Sequence, residues 1–427
     1  MRRPRYGGIS LNIQKLTIED LADLTALMQT AFPRWSCQER QARESKLELD
    51  LRQCRRGAFW GCRSAENVLA ASMLVSDFEM TMDAQRWPVC GVGAVAVDLL
   101  HRKEHLAKAL IEKFLALCKQ RGAMVALLYP FNIGFYRKMG FGLLTENYRF
   151  RFRPEKLLYS ASGKCGLRCA QPKDKERVLA FYRAWAARYN GMLVHRVWDE
   201  LRIFEGKNVV IHCDKSDEID GYCCWSARPT GPEGFYSSAL TIHELVCGNA
   251  AALQAFSAML ASLADQFAYA ELYTPFQSGH LLAADADSGE NDAYCNGIQE
   301  YARYCGGCMA KIVDLPAFYR APVKTGQDLR MPPFTVRLEI CDPFSQRAVE
   351  EVLLHWEDGC LSARGAEKKP DVTIRGDISD YTSFALGAEP LKTLCAFSRL
   401  HVDDPRYLPA LQSVLGKTEK PICFTYF

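Results

Sequence analysis

Apolar residues recur at two different periods along the first part of the chain, and their alternation lays out a series of elements. ISLNIQKL predicts an opening strand. TIEDLADLTALMQTAF predicts a helix whose start, Thr17 to Asp20, has the S/T-x-x-[DE] form that satisfies early backbone N–H groups. VLAASMLVSDFEMTMD and QRWPVCGVGAVAVDLL read as two strands turning around Asp83 to Pro88. In the helix that follows, Leu106, Leu110, Phe114 and Leu117 share one face, with Ala107, Ile111 and Leu115 beside them, and Arg121-Gly122 ends it. AMVALLYP is a short buried strand, FNIGFYRKM a second helix, and GFGLLTENYRFRF a final strand.

After Pro154 the alternation repeats more loosely, to about Pro322. DKERVLAFYRAWAARY predicts a helix, NVVIHC and IDGYCCWSA strands, AALQAFSAMLASLADQFAY a helix, and CMAKIVDL a strand. From about Val323 the pattern changes. FTVRLEICDPF, EEVLLHWED, GCLSARGA and PDVTIRGD read as strands, while DISDYTSFALG and DPRYLPALQSVL read as helices with Asp at or near their N-caps. The expected fold class is α/β and α+β, in three domains spanning 1–153, 154–322 and 323–427.

Length supports that division, because 427 residues exceed what one hydrophobic core of roughly 250–300 residues accommodates. With 48% hydrophobic and 24% charged residues the chain has the balance of a folded globular protein. A formal net charge of +3 gives no reason to expect a nucleic-acid or membrane partner. MRRPRYGGISLNIQKL lacks the apolar segment of a signal peptide and no run approaches a membrane span, so the expected compartment is the cytoplasm. The 18 cysteines are scattered from Cys37 to Cys423 and read mainly as small buried apolar residues. Cys305-Gly-Gly-Cys308 is the one C-x-x-C; without a second pair at zinc spacing, a metal or redox role is weakly supported, and no metal is expected. Cys165 and Cys169 are weaker still.

The candidate chemistry begins at DLLHRKEHLAKAL, Asp98 to Leu110, directly after the apolar run GVGAVAV. A helix N-terminus offers unpaired N–H groups and the positive end of the dipole, which suit a phosphate, and Arg102, Lys103 and Lys108 add formal charge. The competing reading is an amphipathic surface helix with an ordinary basic start. The corresponding turn of the second segment has only Asn249 and alanines.

The order of elements separates the two readings. VAVDLLHRKEHLAKAL followed by LLYPFNIGFYRKMGFG resembles the acyl-CoA core of the Gcn5-related N-acetyltransferase (GNAT) superfamily. Arg102, Leu106 and Ala107 fit its [RQ]-x-x-G-x-[GA] turn, and Tyr136 to Phe141 fit its Y-x-x-x-G-F segment; His105 stands where the glycine would be. With DLLHRKE, GFYRKMGFG, MAKIVDL and the closing CFTYF, nearly the whole chain resembles the enhanced intracellular survival (Eis) acetyltransferase family. That family joins two tandem GNAT-like domains, the second degenerate, to a sterol-carrier-protein-like domain.

The resemblance implies an acetyl-CoA-dependent N-acetyltransferase acting on a primary amine, with aminoglycoside, polyamine or lysine acceptors, and a homo-oligomer, hexameric in some relatives. Acetyl-CoA would lie along Val95, Ala96 and Val97. Its pyrophosphate would sit on Lys103, Glu104, His105, Leu106, Ala107 and Lys108, with further contacts at Phe131 and Asn132. Tyr136 matches the general acid and the terminal carboxylate of Phe427 the general base. On the residues alone, Tyr136 could equally pack the end of its helix. Trp35 could line the acceptor pocket or a core, His101 and His105 belong to the turn or the surface, and Glu104 is expected to point away from the phosphates or pair with Lys108 at i+4. The alternative function is a non-catalytic acyl-CoA or lipid-binding protein.

Overall fold

The computed structural model describes residues 5–6, 9–10, 12–32, 40–159, 161–230, 238–283, 285–289, 294–295, 298–320, 323–324, 332–344, 349–363 and 369–427. The fold is a mixed α/β arrangement built around three large sheets. The first is organised by a long hairpin, Leu69–Met82 with Gln85–Val97. Its turn is the pair Asp83-Ala84, with φ of 49° and 58°, the left-handed geometry that matches strand twist. The turn is therefore tighter than the sequence suggested, and Arg86 to Pro88 already belong to the second strand. Gln85–Val97 then pairs in parallel with Val125–Leu128, and the two are joined by the helix Leu106–Gln120. Leu106, Leu110, Phe114 and Leu117 of that helix are buried as their spacing predicted, each contributing about 2 kcal/mol through apolar burial.

The second sheet repeats this plan. The hairpin Ile219–Pro229 with Ser238–Cys247 leads through the helix Ala250–Ala261 to Phe267–Thr274, parallel to Ser238–Cys247. Asn249 caps the helix by accepting from the backbone N–H of Ala252 at 2.9 Å. The helix expected to continue through Tyr269 stops at Ala261, and Phe267 to Tyr269 begin the parallel strand. The elements that escaped the sequence pattern include the helices Arg40–Gln53 and Arg196–Phe204, the strand Ala58–Arg63, and the two-residue strand Leu193–Val194, which pairs with Leu69–Met82 of the first sheet.

The two sheets also exchange strands. GFGLLTENYRFRF is two strands: Gly142–Leu143 stays at the first sheet, whereas Glu146–Phe152 crosses to pair with Phe267–Thr274 and Arg303–Gly306 of the second. In return Met309–Ile312 inserts between Val125–Leu128 and Gly142–Leu143. The two crossings bind each other. The backbone N–H groups of Leu144 and Thr145 donate to the Cys308 carbonyl, that of Gly307 donates to the Thr145 carbonyl at 2.8 Å, and that of Cys308 donates to Thr145 Oγ1 at 2.9 Å. A Cβ at Gly307 would lie 2.3 Å from Thr145 Oγ1, so the crossing requires glycine there. This accounts for the second glycine of Cys305-Gly-Gly-Cys308. Cys305 is exposed and Cys308 buried, both are free thiols, and no group of three metal-ligating side chains occurs among the described residues.

The third sheet places Phe334–Cys341 parallel to Val372–Asp377, with Val349–Glu357 and Cys360–Ala363 on one side and Leu400–Val402 on the other. The helix Ile378–Ala385 follows, with Asp377 capping it at 2.8 Å through the N–H of Ser379. All eight of its residues are buried, because it lies between the third sheet and the first. The Ser383 hydroxyl donates to the Leu143 carbonyl at 2.8 Å, and the Ile312 N–H donates to Thr382 Oγ1. One apolar cluster accordingly runs from Val89 and Val125 into Val336, Tyr381 and Phe384. Among the described residues, no helix is long and apolar enough to cross a membrane.

Candidate active site

The parallel pair of the first sheet parts midway. Its register runs from Val89↔Val125 to Val92↔Leu128 and ends there, while Gln85–Val97 continues along Leu69–Met82 on its other side. A bulge at Ala94, with φ of 47°, swings the strand away. Val95, Ala96 and Val97 therefore present one unpaired backbone edge. That edge suits a ligand bearing amide groups, such as the pantetheine arm of a coenzyme A thioester.

Beyond Val97 the chain makes a short 3-10 turn, Leu99–His101, capped by Asp98, and the helix begins at Leu106 with His105 as its N-cap. Lys103 and His105 both have left-handed backbones, φ 68° and 61°. This is why a glycine suits the position that His105 occupies, and it holds the exposed side chains of Lys103, His105 and Lys108 around the helix N-terminus. Glu104 does not pair with Lys108. It precedes the helix, so i+4 spacing does not bring the two together; its carboxylate meets His101 Nδ1 at 3.2 Å, and Lys108 faces Glu112. Leu106 is buried, Ala107 partly so, and both lend the turn their backbone N–H groups. These features fit a coenzyme A pyrophosphate.

Across the gap, Asn132 caps the helix Ile133–Arg137 by accepting from the Phe135 N–H at 2.9 Å, so its side-chain oxygen serves the helix. Phe131 is 79% exposed. Tyr136 is buried in the cluster that holds Val92 and Leu128, the last residues joined before the strands part. Phe131, Phe135 and Phe141 surround its ring edge-on. Among the described residues its hydroxyl makes no hydrogen bond, and burial pushes its pKa up to about 12. It is a neutral donor at physiological pH.

The end of the chain reaches the same gap. Pro421 packs on Gly191, the Ile422 N–H donates to the Asn190 carbonyl at 2.8 Å, and the Tyr129 hydroxyl donates to the Thr425 carbonyl at 2.8 Å. Cys423, Phe424 and Thr425 are buried. The Phe427 ring lies between Phe78 and Tyr129, with centroids 4.8 and 5.4 Å away. Two glycines admit it: a Cβ at Gly91 would lie 2.4 Å from the Phe427 ring, and one at Gly93 would lie 3.0 Å from its carboxyl carbon. The carboxylate thus stands at the start of the open edge.

The acetyltransferase (GNAT) domain family matches residues 12–144. Those residues are a GNAT acetyltransferase domain. No curated protein matches the chain. Solved structures share the fold over nearly its whole length. A GCN5-related N-acetyltransferase from Anabaena variabilis has a TM-score of 0.78 at 18% identity, covering 97% of this chain and 100% of its own. A protein from Enterococcus faecalis described as a probable N-acyltransferase has a TM-score of 0.76 at 20% identity, covering 97% and 99%. Eis1 from Mycobacterium abscessus has a TM-score of 0.71 at 16% identity, covering 97% and 100%.

The GNAT domain was legible in DLLHRKEHLAKAL and FYRKMGF, but Gly91, Gly93 and Tyr129 were not singled out. Their partner is the far end of the chain, and no local pattern announces it. Trp35, the candidate pocket aromatic, lies outside the described residues. Behind the GNAT domain a cavity of about 830 Å³ opens between Lys46 and Arg56 of that domain, the helix Arg196–Phe204 and the second sheet, bounded by Trp198, His243, Tyr273, Phe424 and Tyr426.

Proposed function

We propose that the chain moves an acetyl group from acetyl-CoA to a primary amine by direct attack, the Phe427 carboxylate serving as general base and Tyr136 as donor to the leaving sulfur. The observation that carries this reading is the carboxylate against Gly93, at the point where the strand edge opens. Val95 to Val97 would hold the thioester arm, and Lys103 to Lys108 with Phe131 and Asn132 the rest of the coenzyme, which supplies the activated acyl group.

An amine is mostly protonated at neutral pH and must lose a proton before it can attack; a nearby carboxylate accepts that proton directly or through water. Tyr136 is suited to a different task. Full proton transfer from a donor near 12 to a thiolate of pKa about 8.5 is uphill by roughly 5 kcal/mol. A hydrogen bond that strengthens as charge develops on sulfur avoids that cost. Burial among aromatic rings keeps the hydroxyl dry enough for the bond to matter.

In this reading the second sheet is a GNAT-like unit whose phosphate turn has been replaced by Asn249 and alanines, and the third unit is a sterol-carrier-like scaffold that delivers the tail. Purified protein mixed with acetyl-CoA and primary amines should release free thiol. A chain extended by a few residues after Phe427 should bind acetyl-CoA normally and turn over far more slowly. Full activity in the extended protein would remove the carboxylate from the mechanism.

A further inference from the structure

The cavity behind the tail has a charge balance that bears on the acceptor. Each of its carboxylates already has a cation. Glu244 is buried against Arg202 and accepts from the Tyr222 hydroxyl at 2.6 Å. Glu271 lies 3.2 Å from Arg228 and 3.5 Å from Arg149, and Glu205 lies 2.6 Å from Lys46. Two further cations line the same space. Arg56 stacks 5.4 Å from the centre of the Trp198 ring and pairs with Asp50, which lies outside the cavity lining. Lys207 has no carboxylate partner among the described residues; its ammonium donates only to the backbone carbonyls of Arg202, at 2.7 Å, and Glu205, at 3.3 Å.

The described lining therefore carries a cationic excess and no uncommitted carboxylate. A polycation such as a polyamine or an aminoglycoside would have to displace an existing ion pair at each ammonium it buried, which costs desolvation on both sides. An anion needs no such exchange at Lys207. His243 is consistent with this field: burial first and the Lys207 charge second hold it neutral, with Ser226 Oγ 2.8 Å from its Nε2.

The cavity also adjoins the reacting centre. Tyr426 and Phe424 form its wall, and the next residue after Tyr426 carries the carboxylate at Gly93. Trp198, on the same wall, donates from Nε1 to the Arg56 carbonyl at 3.1 Å and to Ser76 Oγ at 3.4 Å, and Phe78, two residues after Ser76 on its strand, packs on Phe427. A volume of about 830 Å³ holds a small polar molecule with room for water.

We infer that the acceptor is a primary amine that also carries a carboxylate or phosphate, the anionic end seated near Lys207 and the amine directed past Tyr426 to the Phe427 carboxylate. This rests on the acetyl-transfer reading above and deepens it.

Two measurements on the full-length protein test it. Acetyl-CoA affinity is measured by calorimetry, and kcat/KM by thiol release for matched acceptors: an acidic dipeptide against its amide, an amino-sugar phosphate against the free amino sugar, and spermidine as the polycation. The anionic member of at least one pair should be preferred by about tenfold, and the pair that responds identifies carboxylate or phosphate. The preference should fall about five- to tenfold in Lys207→Gln, the scale of one partly buried charge contact, with acetyl-CoA affinity unchanged. Arg228→Gln, at a half-exposed side chain, supplies a second variant and should reduce the preference in the same direction. Equal or better turnover of spermidine, or a preference that neither variant alters, would overturn the inference while leaving acetyl transfer standing. Failure to bind acetyl-CoA at all would remove both.

Discussion

At Gly93 a hydrogen in place of a methyl group decides whether the chain's last carboxylate can stand at the open strand edge. We expect Gly93→Ala to keep acetyl-CoA affinity within a few-fold and to lower kcat at least tenfold, because the carboxyl group must move when it acts as the base. Tyr136→Phe should lower kcat by about 10²–10³-fold, the cost of removing one hydrogen-bond donor to a developing charge, without weakening acetyl-CoA binding; wild-type turnover would take the residue out of the chemistry. His105→Gly isolates a different quantity. Its backbone is left-handed at φ 61°, a state costing a side-chain-bearing residue about 1–2 kcal/mol, and glycine returns part of that gain through its freer unfolded chain. A net rise in stability of about 0.5–1 kcal/mol, read from denaturant midpoints, is the expected result. At this scale the sequence was informative wherever chemistry depends on neighbours along the chain: His105 was visible as a missing glycine. It was silent where a residue's partner is remote, as at Gly91 and Tyr129.

The short helix that holds Tyr136 owes its position to a helix of the third unit. Arg137 ion-pairs with Asp380, which is only 4% exposed and also receives Arg399 at 2.7 Å. Asp380→Asn should cost about 1–2 kcal/mol, discounted because both arginines reach solvent, and should lower kcat through Tyr136 while sparing folding. Preserved kcat with lost stability would confine the pair to a structural role. A second helix, Arg196–Phe204, carries a pH dependence. Burial raises Asp199 to about 6, with Arg202 opposing the shift. The folded state then holds a proton that the unfolded chain releases near 4, so stability from this group falls as pH rises from about 4 to about 6, by roughly 2–3 kcal/mol. Asp199→Asn should flatten that part of the pH–stability curve. Helices and strands with a clean period were legible, including the Leu106 helix and the strand Asn208–Cys213. Helix ends were not: Phe267 to Tyr269 carry the same apolar spacing whether they extend a helix or begin a buried strand, and the parallel partner Ser238–Cys247 decides.

For the whole molecule, changes in periodicity led to the expectation of three domains, but the exchange of strands between sheets left no sign in the sequence. Periodicity reports which face a strand buries and says nothing of the sheet in which it finds its neighbours. Glu146–Phe152 and Met309–Ile312 have ordinary strand patterns, and each pairs outside the stretch of sequence that surrounds it. Expressed alone, residues 1–153 would leave the Val125–Leu128 edge bare where Met309–Ile312 belongs, and would lack the tail. We expect such a fragment to aggregate or to show no cooperative unfolding transition, whereas the full chain should unfold with the first and second sheets together. A soluble fragment with a sharp melt would mean that the crossing is dispensable.

The crossing at Thr145 and Gly307 also constrains inheritance. Two sheets of similar plan that folded independently could each be lost without harm to the other. Here each half lends the other a strand, so deleting one leaves a hole in its neighbour. Loss of the second segment would therefore also take Met309–Ile312 from the first sheet and leave Val125–Leu128 and Gly142–Leu143 without the strand between them.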